Sequence, residues 1–169
     1  MSKKSMFTVK RKKPIFSLDF DGVIHSYKSG WKGPRTIPDK VTNGALQFIV
    51  EAQEIFQVNI FSSRSKYWFG RYAMKKWLYS QFMDLLNNPL DKAGELPIPD
   101  WMLKKVEMDY GEPFHHSYRY AVKEIISQIK FPLHKPPAMI GLDDRIIQFE
   151  GEWPDLEKLR NFKPYKAPY

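Results

Sequence analysis

The sequence predicts an α/β fold built around a mostly parallel central sheet. Short apolar stretches at residues 14–19, 58–61 and 138–142 have the composition of buried strands, and helix-forming stretches separate them. Each apolar stretch ends at a polar side chain, namely Asp19, Ser62 or Asp143. Because parallel strands need crossover connections, this alternation favours parallel pairing and brings the three polar ends to one edge of the sheet.

Helices are predicted where apolar side chains recur at helical spacing. The first covers residues 41–57. A second is expected over 67–86, with its aromatic and methionine side chains facing inward, and a third over 118–129. These helices supply the crossovers that the parallel sheet requires.

The remaining segments are predicted to be loops or tails. Prolines and glycines predict loops over residues 24–38 and 87–113. Residues 148–153 have the pattern of an edge strand or a turn, and the chain then ends in a packed or trailing segment. The prediction is one domain over residues 14–169, preceded by a basic tail over residues 1–13.

Composition limits the classes of function. The chain has no cysteine, which excludes disulfides, thiolate zinc sites and a cysteine nucleophile. A net charge of +8 favours phosphorylated metabolites, nucleotides or nucleic acid as partners. The basic tail is either a solvated terminus or a nucleic-acid contact. No stretch has the apolar length of a secretory signal or a membrane span, so we expect a soluble, cytoplasmic protein with no membrane partner.

The first candidate for chemistry is the run Asp19-Phe20-Asp21-Gly22. Two carboxylates at i and i+2 just past a strand can project to the same side, and Gly22 lets the chain turn away. A carboxylate can attack phosphorus, so Asp19 is the candidate nucleophile. Asp21 is the candidate general acid and then base. A structural turn or a calcium-binding loop is the alternative for such an acid–glycine cluster.

The second candidate is the adjacent pair Asp143-Asp144, which follows the third apolar stretch. Two neighbouring acids repel each other unless a cation balances them. Mg²⁺ prefers a few carboxylates together with water and phosphate oxygens, and Asp19 with one member of the pair would supply them. A solvated turn is the alternative.

Four residues are candidates for binding phosphate. Ser62 or Ser63 offers a hydroxyl and backbone N–H groups at a strand end, and the alternative is that it caps the next helix. Arg64 adds a guanidinium or lies on the surface. Lys135 precedes the third apolar stretch and either reaches the phosphate or stays solvated.

In this order, these motifs resemble the haloacid dehalogenase superfamily of phosphatases. The resemblance spans residues 19–144 and implies a Rossmann-like three-layer fold around the sheet. It implies Asp19 as nucleophile, Asp21 as acid and base, Ser62 as phosphate ligand and Lys135 as the charge-neutralising lysine. It further implies Mg²⁺ held by the Asp19 side chain, the Asp21 backbone carbonyl, and Asp143 or Asp144. Lys135 stands closer to Asp143 than in many members, and Lys123 is the alternative base.

The stretch from Lys135 to Arg145 is similar to the end of the 5′(3′)-deoxyribonucleotidase group. The segments between the motifs leave room only for a small cap or none, so the loop over 24–38 would control access. This loop is either a substrate loop that holds a flat phosphorylated ligand or a loop packed on the core. Its basic and aromatic side chains are His25, Tyr27, Lys28, Trp31, Lys32 and Arg35.

The expected function is therefore Mg²⁺-dependent hydrolysis of phosphomonoesters through an aspartyl-phosphate. Nucleotides or terminal phosphates of nucleic acids are the expected substrates. One alternative is a catalytically idle module that binds nucleic acid, and another is a phosphatase of phosphosugars or other small metabolites. A signalling receiver is disfavoured, because receivers place the acid pair first and the phosphorylated aspartate on a middle strand.

Overall fold

The computed structural model describes residues 12–87, 99–110, 115–148, 151 and 153–165. Its centre is an open sheet of three parallel strands in the order β2-β1-β3. Strand β1 (Ile15–Leu18) lies between β2 (Gln57–Ile60) and β3 (Ile140–Leu142). Helix α1 (Ala45–Ile55) connects β1 to β2, as the alternation of apolar segments predicts. The α/β class is thereby confirmed at the level of a small parallel sheet with helices.

Three helices separate β2 from β3 along the chain. They are α2 (Trp68–Asn87), α3 (Asp100–Tyr110) and α4 (His115–Gln128), and a short helix α5 (Leu156–Arg160) follows β3. Helix α4 packs against both α2 and α3. None of the helices in the described part of the chain is long and apolar enough to cross a membrane.

Helix α3 contradicts the predicted loop over residues 87–113. Prolines predict a break in helical structure, but Pro99 stands just before the first turn, where its carbonyl accepts the N–H groups of Met102 and Leu103. Met102 and Val106 are fully buried on the inner face of α3. A proline next to a helix start is compatible with the helix, and burial of this apolar face stabilises it.

The core lies between the sheet and the helices. The Phe16 ring of β1 packs against Phe48 and Phe56, which places α1 and the turn after it on this side chain. Val58 and Ile60 of β2 are fully buried. The two strands that precede Asp19 and Ser62 are therefore held in position by the core.

The third strand is less buried than predicted. The observed strand, Ile140–Leu142, is shorter than the predicted one over residues 138–142. The side chains of Ile140 and Leu142 are about half exposed, at 53% and 47%. Among the described elements, β2 packs extensively on helix α1 as well as on β1, whereas β3 does so on β1 alone, which leaves its side chains exposed. Of residues 148–153, the described ones do not lie in a strand.

The predicted basic tail over residues 1–13 lies outside the described residues except for its last two positions. Lys13 donates a hydrogen bond to the backbone carbonyl of Gln53, so the end of the tail contacts α1. Its remainder stays a prediction.

Helix α2 begins in close contact with the turn before it. A Cβ atom added at Gly70 would lie 2.3 Å from the backbone oxygen of Arg64, well inside van der Waals contact. Alanine is a better helix former than glycine by about 1 kcal/mol, so a free helix would gain from the change. At Gly70 the clash with Arg64 should turn this gain in stability into a loss.

We predict that Gly70→Ala lowers the free energy of unfolding by about 1–3 kcal/mol, the usual cost of overpacking. Urea denaturation measures this quantity. Ser80→Ala on the exposed face of the same helix is the control and should be neutral or slightly stabilising. A stabilised Gly70→Ala variant would contradict the close packing of α2 on Arg64.

Candidate active site

Three carboxylates converge at the end of the sheet where the strands finish. Oxygen atoms of Asp19, Asp143 and Asp144 all lie within 4.8 Å of one another. Asp19 follows β1, and its backbone N–H donates to the carbonyl of Leu142 at 2.9 Å, which ties the two strand ends together. The predicted grouping of these acids is therefore present in the structure, and we call it the acid cluster.

The Asp144 side chain is closely surrounded by protein. It is 3% exposed, and its Oδ1 atom has no hydrogen-bond partner. A Cβ atom at Gly22 would lie 2.5 Å from Asp144 Oδ2, and Gly22 has a φ of +101°, so glycine is needed there for both space and backbone conformation. Asp143 differs, because its Oδ1 accepts the backbone N–H of Arg145.

Burial and mutual repulsion disfavour the charged forms of these acids. Burial raises the pKa of Asp19 to about 7, and the neighbouring Asp143, Asp21 and Asp144 act in the same direction. Burial also raises the pKa of Asp144, against the effect of Arg145. A cation would relieve both penalties.

The acid cluster fits a hard divalent cation such as Mg²⁺. All its donors are carboxylate oxygens, which is the ligand chemistry of Mg²⁺, and the orphaned Asp144 oxygen lacks any other partner. Among the described residues, no backbone hydrogen bond uses the Asp21 carbonyl oxygen, so this predicted ligand is also free. The side chain of Asp21 has a different environment.

Asp21 lies in a buried ion pair rather than in the acid cluster. Arg64 donates from Nε to Oδ2 at 2.8 Å and from Nη2 to Oδ1 at 3.0 Å. The Nδ1 atom of His25 lies 2.9 Å from the same Oδ1. Burial alone would raise the pKa of Asp21, but the hydrogen bonds from His25 and Arg64 and the positive charge of Arg64 outweigh it and hold the pKa below its ordinary value.

His25 is oriented from both sides of its ring. The backbone N–H of Asp39 donates to Nε2 at 3.1 Å, so that nitrogen is an acceptor and the ring proton lies on Nδ1, facing Asp21. The ring is fully buried and stacks on Phe20 at 5.7 Å. His25 therefore positions Asp21. Because its ring is fully buried, His25 does not lie on a surface that a substrate could contact in this conformation.

Ser62 caps the 3₁₀ turn that follows β2. Its Oγ accepts the backbone N–H of Arg64 at 3.2 Å, and its own backbone N–H donates to Ser65 Oγ. The Ser62 hydroxyl also lies 3.4 Å from Asp21 Oδ2. The capping alternative is thus observed, at a place that adjoins Asp21, whereas Ser63 is exposed.

Arg64 joins Asp21 to the loop over residues 24–38. Its Nη1 donates to the carbonyls of Gly33 at 2.8 Å and Thr36 at 3.0 Å. The Trp31 ring lies over the guanidinium at 4.7 Å. These contacts engage the guanidinium within the protein, so Arg64 organises the site, and the observed conformation does not direct it to a phosphate.

The other residues of this loop divide by exposure. Lys28, Lys32 and Arg35 are exposed, and Trp31 is partly so. Tyr27 lies under the guanidinium of Arg145 at 5.5 Å. The loop contacts Arg64 and presents cations to solvent, and its role as a substrate loop stays a prediction.

Neither candidate lysine contacts the acid cluster. Lys135 is exposed and forms no ion pair with an acid of the described residues, and the Lys123 ammonium lies over the Tyr120 ring on α4. The cation at the cluster is Arg145, whose Nε is 3.5 Å from Asp144 Oδ2. Our sequence reasoning missed Arg145 as a site residue, although its position directly after the acid pair was a usable signal.

Comparison of the chain with protein-family models, curated proteins and solved structures finds no match. The chemistry must therefore be argued from the geometry. That geometry sets a proton-prone carboxylate, Asp19, beside an ionised one, Asp21, at a single strand end.

We predict that Mg²⁺ stabilises the protein more at pH 8 than at pH 5.5. The folded-state pKa of Asp19 is raised, so the folded protein binds this proton more tightly than the unfolded chain does, and stability without metal falls as pH rises from about 4 to 7. A cation needs the ionised carboxylate, so its effect should grow over the same window. Thermal melts with and without MgCl₂ at matched ionic strength measure the gain.

The control for this prediction is Asp144→Asn. The variant should melt higher than wild type without metal at pH 8, because one buried repulsive charge is gone, and should lose the gain from Mg²⁺. Equal gains at both pH values, or an undiminished gain in the variant, would contradict the assignment.

We predict that Arg64→Met lowers the free energy of unfolding by about 3–5 kcal/mol at pH 7, because Asp21 would keep a buried charge without its partner. Urea denaturation measures the loss. Adding Asp21→Asn to the variant should recover part of it. Arg119→Met on the exposed face of α4 is the matched control, with an expected change within about 0.5 kcal/mol.

Proposed function

We propose that the protein is a Mg²⁺-dependent phosphomonoester hydrolase that works through an aspartyl-phosphate on Asp19. The observation that carries this proposal is the convergence of Asp19, Asp143 and Asp144 within 4.8 Å beside the ionised Asp21. The proposal includes the three-layer, haloacid dehalogenase-like form of the α/β fold. It also includes a single domain and a cytoplasmic location.

Asp19 would act as the nucleophile. One of its carboxylate oxygens forms a bond to phosphorus while the ester P–O bond breaks, and the departing oxygen takes up a proton from water or from a protonated Asp21 to give the alcohol. A water molecule then attacks phosphorus, the bond between Asp19 and phosphorus breaks, and inorganic phosphate is released. Asp19, Asp144, Asp143 and the Asp21 carbonyl would hold Mg²⁺, which when bound neutralises charge on the carboxylates and the phosphoryl group.

Asp21 would move the protons. In the observed conformation it is ionised and hydrogen-bonded to Arg64 and His25, so it is a proton acceptor, which suits the step in which water attacks the aspartyl-phosphate. Donation to the leaving oxygen requires the protonated acid, which the ion pair with Arg64 disfavours. Esters with good leaving groups should therefore react faster in the first step.

One cation at the acid cluster and others on the loop over residues 24–38 support an anionic substrate. Arg145 is half exposed beside Asp144, and Lys28 and Lys32 are exposed on the loop. Together with the net charge of +8, these groups favour nucleotides or terminal phosphates of nucleic acids over uncharged partners. Phosphosugars and other small phosphate esters share the phosphate and are the alternative substrates.

A catalytically idle module that binds nucleic acid is the second candidate function. Two observations favour it. Arg64 holds Asp21 ionised, and in the described part of the chain neither Lys135 nor Lys123 pairs with the acid cluster. Such a module would bind phosphate-containing ligands without turnover, whereas the hydrolase releases phosphate.

We predict that the purified protein releases inorganic phosphate from a panel of phosphate esters in the presence of Mg²⁺, and that Asp19→Asn reduces the rate at least about 100-fold by removing the attacking charge. Phosphate release over time is the measurement, with an excess of EDTA as the metal-free arm. Glu107→Gln, which removes an exposed charge on α3, is the matched control and should keep wild-type activity.

Two results would overturn this assignment. Undiminished turnover by a folded Asp19→Asn variant would exclude Asp19 as nucleophile. Absence of turnover on nucleotides, oligonucleotide ends and sugar phosphates alike, from a protein that still binds them, would favour the idle module.

A further inference from the structure

We propose that a groove along the first turns of α2 binds single-stranded nucleic acid by stacking its bases on exposed aromatic rings. The groove has a volume of ≈ 430 Å³. Its lining residues are Arg35, Trp68, Phe69, Tyr72, Ala73, Lys76 and Trp77. None of them belongs to the acid cluster or to the Asp21 ion pair.

The aromatic side chains form this groove because of their spacing on the helix. Trp68, Tyr72 and Lys76 follow one another at intervals of four and form an outer ridge. Phe69, Ala73 and Trp77 form the neighbouring inner ridge, where the small Ala73 leaves a depression between two large rings. A flat ligand can enter such a depression and meet ring faces.

Exposure of these rings conflicts with a purely structural role. Trp68 is 68% exposed and Tyr72 is 63% exposed, whereas the same helix buries Met74, Leu78 and Phe82 in the core. The inward-facing aromatic side predicted for this helix is therefore wrong for Trp68 and Tyr72. Two large exposed rings side by side are the kind of surface that binding sites present.

The charge around the groove selects an anionic occupant. Residues 55–83 contain five cationic side chains and no acidic one; Arg64 is buried against Asp21, whereas Arg71, Lys75 and Lys76 all lie on α2. The Arg35 guanidinium lies 4.4 Å from the centre of the Phe69 ring, where it borders the groove. Stacking rings edged by cations are the means by which proteins hold single strands without reading their sequence.

The groove is linked to the candidate active site through two neighbours. Arg35 stands between Gly33 and Thr36, whose carbonyls bind Arg64 and thereby Asp21. Trp77 packs against Phe20, the residue between Asp19 and Asp21, at 5.1 Å. Helix α2 also follows directly on the 3₁₀ turn that carries Arg64. A single-stranded nucleic acid whose terminal phosphate lies at Asp19 could thus continue into the groove.

Binding of nucleic acid by the groove does not depend on the proposed function. Only the position of the terminal phosphate at Asp19 rests on it. The first experiment therefore measures binding alone. Fluorescence anisotropy of a labelled, unphosphorylated single-stranded oligonucleotide in EDTA gives Kd for each protein. We expect Trp68→Ala and Tyr72→Ala each to weaken binding about 5- to 150-fold, the range for loss of one stacking ring.

Matched controls separate stacking from general effects. Trp153→Ala and Tyr120→Ala remove exposed rings outside the groove and should leave Kd unchanged. Lys76→Ala should reduce the slope of log Kd against log salt by about one, whereas Lys104→Ala on α3 should not. Because Trp68 and Tyr72 lie largely in solvent, their removal should leave the protein folded. Thermal melts verify this for each variant.

Three results would each overturn the inference. The first is that wild type does not bind the oligonucleotide at all, and the second is that Kd is unchanged in both ring variants. The third is that an acidic peptide or polyphosphate, which carry charge without bases, competes as well as the oligonucleotide does.

A second experiment compares kcat/KM for a phosphorylated oligonucleotide and a nucleoside monophosphate. The ring variants should lose activity on the oligonucleotide about as much as they lose affinity, and equal losses on both substrates would contradict a groove that extends beyond the reacting nucleotide. Groove-dependent binding without turnover would refute the hydrolase alone.

Discussion

The buried ion pair between Arg64 and Asp21 is the contact on which the geometry of this site depends. Arg64 is fully buried, and a buried guanidinium is stable only where its donors meet acceptors. Asp21 takes two of these donors, and the carbonyls of Gly33 and Thr36 take others. One side chain therefore locks three separate chain segments together: the turn after β1, the turn after β2, and the loop between them.

This arrangement explains how two aspartates only two positions apart acquire opposite proton affinities. Asp19 faces other carboxylates in a partly buried position, so its pKa rises to about 7. Asp21 faces a guanidinium and an imidazole N–H, so its pKa falls. The chain turns at Phe20, so the two aspartates meet different neighbours: other carboxylates at Asp19, and Arg64 with His25 at Asp21. A nucleophile and a proton-transfer group need such a difference.

The distribution of charge and aromatic surface extends this division over a larger area. Acids gather at the ends of β1 and β3, whereas the segment that leaves β2 carries only cations as far as Asp84. Under the proposals above, the second surface would attract a phosphate-containing polymer, and the first would accept its phosphate together with a divalent cation. The loop held by Arg64 borders both, with Trp31 over the guanidinium and Arg35 over Phe69. A hydrolase and a binding site for its substrate would thus share one structural element.

Local pattern was sufficient for much of the fold. The apolar runs before Asp19, Ser62 and Asp143 predicted strands whose ends meet, because hydrophobic burial and parallel pairing act on short segments in known ways. The same reasoning failed at α3, where Pro99 initiates a helix that buries Met102. It also failed at β3, which among the described elements packs extensively on β1 alone and so keeps its side chains exposed. The sequence by itself determined the acid cluster. Only the tertiary structure decided that Arg64 pairs with Asp21, 43 positions away, that Arg145 rather than Lys135 adjoins Asp144, and that Trp68 and Tyr72 face solvent. Those outcomes depend on how distant segments dock, because a buried charge takes whichever partner the packing brings within reach.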